Sequence, residues 1–171
     1  RSAACPANSP AISNTSPPTG TGCYSGVNLS NGTVTFPAGT YYINGPISLS
    51  GNVSLSGTGV TLVSTQTIQT SGNVSMSLTP PTSGSTEGIL FASNSSSSSS
   101  FSGNNAANFS GLLYYPNGTI TISGNSTDGS SGCAEIVAFS VTLSGNANLA
   151  ANCSGYNLPT YGSLQTTKLV Q

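Results

Sequence analysis

The phrases Leu49-Ser-Gly-Asn52 and Thr70-Ser-Gly-Asn73 stand 21 residues apart. The same wording returns at Phe101-Ser-Gly-Asn104, Ile122-Ser-Gly-Asn125 and Leu143-Ser-Gly-Asn146. Leu29-Ser-Asn31 is a degenerate first copy. Asn31, Asn52, Asn73, Asn104, Asn125 and Asn146 therefore repeat every 21 residues, with one gap of 31. A fixed period of this size marks a solenoid, in which each coil buries its apolar side only by stacking on the next.

Cut at the asparagines, the coils run 31–51, 52–72, 73–103, 104–124, 125–145 and a weaker 146–166. Apolar residues recur within them in three columns. The first collects Val34 and Phe36, Leu55, Met76 and Leu78, Ala107 and Phe109, then Leu149. The second collects Tyr41 and Ile43, Val60 and Leu62, Ile89 to Phe91, Leu112 to Tyr114, and Ile136 to Ala138. The third is the most regular: Ile47/Leu49, Ile68/Thr70, Ile120/Ile122 and Val141/Leu143. Inside each stretch the alternation has period two, so these are strands with one side inward. Three short strands per 21 residues predict an all-β fold, a single-stranded parallel β-helix with three faces per coil. Right-handed winding is expected by analogy with parallel crossovers.

The Ser-Gly-Asn corner has a physical reason, because Gly and Asn tolerate the positive φ that a sharp bend requires. Stacked at about 4.8 Å per coil, the six asparagines could pass side-chain hydrogen bonds from one coil to the next. The alternative is six ordinary turn residues facing solvent. The longer third coil carries its excess around Pro80-Pro81 and in the serine run Ser95 to Ser100, expected to bulge out as a loop over 92–103. Residues 1–30, rich in Pro, Ser and Thr, read as an N-terminal cap over coils spanning 31–152. Residues 153–171 read as the opposite cap. No second domain is visible.

Five charged residues, no histidine and no tryptophan accompany a net charge of -1. That balance gives no reason to expect nucleic acid or anionic lipid as partner. No apolar run approaches the ~20 residues needed to span a bilayer. Cys5, Cys23, Cys133 and Cys153 form two sequence-local pairs; Cys5–Cys23 with Cys133–Cys153 is favoured among three connectivities, against four free thiols. No Cys-x-x-Cys and no histidine offer zinc a site. No signal-like segment opens the chain, so we expect a mature or excised piece of a longer precursor.

Catalysis finds little to use. Glycoside hydrolysis normally needs two carboxylates about 5–9.5 Å apart, and the acids available are Glu87, Asp128 and Glu135. Arg1 and Lys168 are terminal. We expect no enzyme and no cofactor. Outward positions of the first face, Thr33, Thr35, Ser54, Ser56, Ser75 and Ser77, would form a hydroxyl grid of the kind ice-binding solenoids use. Tyr41, Tyr42, Tyr114 and Tyr115 could stack on sugars, or simply pack. Asn-x-Ser/Thr triplets at Asn14, Asn28, Asn31, Asn52, Asn73, Asn94, Asn108, Asn117, Asn125 and Asn152 follow from composition, and the serine run is the better place for O-linked sugar.

Tyr41-Tyr-Ile-Asn-Gly, Leu113-Tyr-Tyr-Pro-Asn-Gly-Thr-Ile-Thr-Ile-Ser-Gly-Asn125 and Glu135-Ile-Val-Ala-Phe-Ser-Val-Thr-Leu-Ser-Gly-Asn146 resemble the Ser/Gly/Asn-rich C-terminal region of TadG-like proteins of bacterial tight-adherence (Flp-type) pilus assembly. The resemblance covers about residues 31–150. It implies a bacterial cell-surface or secreted setting and carries over no catalytic residue. The expected role is a structural or adhesive solenoid, with pilus components or surface glycans as partners. The rival is a filament whose subunits pair end to end, or by swapping caps, with copies of themselves.

Overall fold

A computed structural model describes residues 5–103, 106–124 and 134–146. Within them every element is a strand, and every pairing of strands is parallel. The strands are β1 (Ile12–Ser13), β2 (Gly22–Tyr24), β3 (Val27–Thr35), β4 (Gly39–Ile43), β5 (Ile47–Thr58), β6 (Val60–Ser64) and β7 (Ile68–Thr70). They continue with β8 (Asn73–Thr79), β9 (Ile89–Ser93), β10 (Ser99–Phe101), β11 (Ala106–Phe109), β12 (Gly111–Ile122) and β13 (Ala134–Leu143). The expected β-solenoid is therefore the fold.

Three faces emerge from the registers. The first stacks the C-terminal half of β3 on that of β5, then β8 and β11. The second runs β2, β4, β6, β9, β12 and β13. The third begins at β1 and passes through the starts of β3 and β5, then β7, β10 and the ends of β12 and β13. Long strands such as β5 run through a corner, where the register with β3 shifts between Leu29 and Asn31 and the partner on the other side changes from β7 to β8.

Among the described residues the three apolar columns point mostly inward; Tyr114, Val141 and Leu143 depart from this, being 38%, 42% and 51% exposed. Val34, Leu55 and Met76 are in register on the first face. Tyr41, Leu62, Phe91, Leu113 and Ile136 follow one another on the second. They meet in one core, where Phe36 and Tyr41 pack edge to face with centroids 5.2 Å apart. Neither half of a coil could bury these side chains alone, which is why the stack holds together.

Two parts of the sequence reading change. Residues 1–30 read as a cap lacking the repeat, yet Ile12 pairs with Val27 only 15 residues on, and Gly22 pairs with Tyr41. The segment builds a shorter extra turn, with Ile12 and Tyr24 in the core. Its spacing departs from 21, so periodicity hid it. The serine run, expected as a loop throughout, supplies β10 at its end. Ser99 sits fully buried where neighbouring coils carry Ile68 and Ile120, and its Oγ accepts the Ile68 N–H at 3.0 Å. A serine can enter this core because a backbone donor there needs an acceptor.

The third coil absorbs its surplus at two corners. Partner spacing is 21 from Leu55 to Met76, 29 from Leu62 to Phe91 and 31 from Gln69 to Ser100. Eight extra residues thus enter before the second face, around Pro80 to Gly88, and two more before the third. The expected C-terminal cap, 153–171, lies outside the described residues.

Candidate functional site

Three of the corner asparagines, Asn31, Asn52 and Asn73, form a ladder. Asn31 pairs in register with Asn52, and Asn52 with Asn73. The Asn52 N–H donates to Asn31 Oδ1 at 3.1 Å, and Asn73 Nδ2 donates to Asn52 Oδ1 at 2.9 Å. Farther along, the Asn146 N–H donates to the Gly124 carbonyl at 2.9 Å. Asn104 and Asn125 lie outside the described residues. Beside the asparagines runs a column of glycines with positive φ: Gly51, Gly72, Gly103, Gly124 and Gly145. A Cβ on Gly72 would stand 2.7 Å from the Gly51 carbonyl oxygen, so the corner is closed to any side chain.

Cys5 and Cys23 are joined in a disulfide with Cα atoms 5.3 Å apart, which ties the chain start to β2. Cys133 and Cys153, the other expected pair, lie outside the described residues. So do Asp128, Arg1 and Lys168. Glu87 precedes β9 in the corner loop, and Glu135 lies in β13, in register with Leu112 and through it with Ile89. Their backbones are thus two coils apart, about 10 Å along the axis. Among the described residues no cluster of three or more His, Cys, Asp or Glu occurs, and no helix is long and apolar enough to cross a membrane.

The four tyrosines divide. Tyr41 and Tyr115 are fully buried, so both are core residues and neither meets a ligand. Tyr41 donates its hydroxyl to the Pro37 carbonyl. Tyr115 lies beside Ser99, but its hydroxyl is the one buried side-chain polar atom among the described residues without a hydrogen bond of sound geometry. Burial pushes both hydroxyls above the ordinary tyrosine value; the Tyr24 hydroxyl adds to this at Tyr41, and Ser99 offsets part of it at Tyr115. Tyr42 and Tyr114 point outward.

Each face offers solvent a different surface. On the first, Thr33, Ser54 and Ser75 are in register, as are Thr35, Ser56 and Ser77. The hydroxyl grid exists, and the Thr35 and Ser56 hydroxyls already bond to each other at 3.0 Å. On the third, the outward column reads Asn28, Ser48, Gln69, Ser100, Thr121, Thr142. On the second it reads Tyr42, Val63, Ala92, Tyr114, Val137. Here the outward column is apolar, while the register two residues before it pairs Thr40 with Thr61 and Leu112 with Glu135.

A depression of about 270 Å³ opens on this second face, lined by Val63, Ser64, Ala92, Ser93, Asn94, Tyr114 and Pro116. It forms because coil three places the small Ala92 between Val63 and the larger Tyr114. Tyr114 is 38% exposed and Phe139, farther along β13, is 79% exposed. Sequence reading counted Leu112 to Tyr114 and Ile136 to Ala138 as core and missed the outer column. The available signal was the unbroken apolar pair in each coil: Tyr41-Tyr42, Leu62-Val63, Phe91-Ala92, Leu113-Tyr114, Ile136-Val137. Strands that lose their alternation are normally covered on both sides.

No family model matches the chain, and neither a curated protein nor a solved structure matches it.

Proposed function

We propose that this chain is a non-catalytic structural or adhesive solenoid, working outside the reducing cytoplasm on a bacterial surface or in a pilus-associated system. The observation that carries the reading is the outer surface. Two faces present columns of neutral hydroxyls and amides, the third an apolar column, on a rigid stack with few ionisable groups. Such a surface suits contact over an area better than chemistry at a point. The Cys5–Cys23 bridge supports an oxidising compartment. The likeness of the repeat wording to TadG-like proteins supports the bacterial setting.

Beads coated with the protein should adhere to bacterial or abiotic surfaces more than beads coated with an inert protein. Screening neutral and acidic glycans for turnover, with Glu135→Gln as control, tests the non-catalytic part. Turnover lost in that variant would overturn it.

A second reading, a filament of end-to-end copies, is favoured by one feature. β1 and β2 at the N-terminal end of the stack, and β13 at the other, each have an edge with no strand beside it among the described residues. Negative-stain microscopy at high concentration tests it. Monodisperse particles would remove it.

A further inference from the structure

From the second face we infer that the depression around Tyr114 binds an extended strand of uncharged polysaccharide, lying lengthwise across the coils. This deepens the adhesive reading and rests on it. Three observations lead there.

The first is contrast. Outward columns on the other two faces are Ser, Thr, Asn and Gln, while this one is Tyr42, Val63, Ala92, Tyr114, Val137. An apolar column on an otherwise polar surface calls for cover.

The second is size. Five coils at about 4.8 Å and a strand width of about 13 Å give roughly 300 Å². Two such faces together would bury about 600 Å², where a stable protein interface needs about 1,200 Å² or more. A second copy of the chain is therefore a poor occupant. A slender ligand that fills the hollow itself is a good one.

The third is chemistry. Tyr114 offers a partly exposed ring whose hydroxyl makes no hydrogen bond among the described residues, and Tyr42 lies three coils away in the same column, about 14 Å. Sugar rings present C–H faces that stack on aromatic rings, and hydroxyl edges that bond to amides such as Asn94 at the rim. The rise of one coil is close to the advance of one sugar residue in an extended glycan. No charged side chain stands in the column. Glu87 and Glu135 lie toward one margin, so an acidic glycan would meet like charge.

The test titrates the full, disulfide-bonded chain with cellohexaose, chitohexaose, maltohexaose and hexagalacturonate, followed by calorimetry and amide shifts. At least one neutral hexasaccharide should bind saturably. Tyr114→Ala should weaken it about tenfold, Tyr114→Phe should hold within about threefold, and Thr121→Ala on the third face should change nothing. Ala92→Tyr, which fills the hollow, should also abolish binding, and circular dichroism checks that each variant is folded. Absence of binding by every neutral hexasaccharide, equal binding by Tyr114→Ala, or preference for hexagalacturonate would overturn the inference. So would dimerisation in sedimentation that Tyr114→Ala removes. Bead adhesion together with unweakened hexasaccharide binding in Tyr114→Ala would overturn the groove and leave the adhesive reading standing. Hexasaccharide binding without any bead adhesion would support the groove and remove the adhesive role.

Discussion

Asn73 Nδ2 donates to Asn52 Oδ1 across one coil, while the Asn52 backbone N–H donates to Asn31 Oδ1. The side chain of one coil therefore serves the next. Asn52→Ala removes an acceptor and should lower stability by about 1 kcal/mol. Asn52→Asp keeps the acceptor and should lose less. Urea unfolding of both variants decides it; equal midpoints for Asn52→Ala and the parent would show that the ladder has no energetic weight.

The glycine column gives a sharper contrast. Gly72 and Gly84 both have positive φ, but a Cβ on Gly84 meets nothing within 4 Å, whereas one on Gly72 meets the Gly51 backbone. Gly84→Ala should cost about 1–2 kcal/mol from backbone strain alone. Gly72→Ala should cost clearly more, because a rigid carbonyl must move. Thermal melts of the two side by side are the measurement.

Ser99→Ala should cost about 1–3 kcal/mol, since it leaves the buried Ile68 N–H without its acceptor. Ser99→Val restores apolar volume but not the acceptor, so it should not recover the loss. Hydrogen exchange at the Ile68 amide should quicken in both. Unchanged exchange would show that the bond does not hold that strand.

Replacing Cys5 and Cys23 by serine releases a loop of separation 18 and should cost about 3 kcal/mol. The loss should appear first as proteolysis around β1 and β2, since among the described residues each has a strand neighbour on one side only. Coils carrying β5 to β9 should resist. Cleavage that starts in those coils would contradict the stapling role.

Alkali should unfold the protein. Burial, more than any neighbour, raises the hydroxyl pKa of Tyr115, and likewise of Tyr41, above the ordinary 10.0. The unfolded chain loses these protons first as pH climbs past 10, so stability is intact below that point and falls above it. Tyr115 alone can contribute up to about 1.4 kcal/mol per pH unit there. Tyr115→Phe removes that share along with an unpartnered hydroxyl, so it should be no less stable at pH 7 and flatter above pH 10. Denaturant midpoints between pH 8 and 11.5 check the sign.

The sequence carried the coil architecture because one phrase recurs at one interval, and that interval is the perimeter of a turn. Val34, Leu55 and Met76 were readable as a column for the same reason. The extra N-terminal turn was not, since Ile12 and Val27 stand 15 residues apart. Ser99 was not, because a serine inside a core is recognisable only once the Ile68 N–H facing it is known. The hollow by Tyr114 needed the register of three coils before Ala92 could be seen between Val63 and a ring. Composition reports what a face is made of, but only stacking reports which residues share it.

Coil three takes in ten additional residues while Ser100 still meets Gln69 on one side and Thr121 on the other. Bends of this kind act as expansion joints. Whatever length of chain is spliced there hangs outside the triangular cross-section, and the wall resumes its course one storey up. A scaffold built this way can acquire new external segments by insertion within the exposed residues 82–85 without rewriting a single buried side chain.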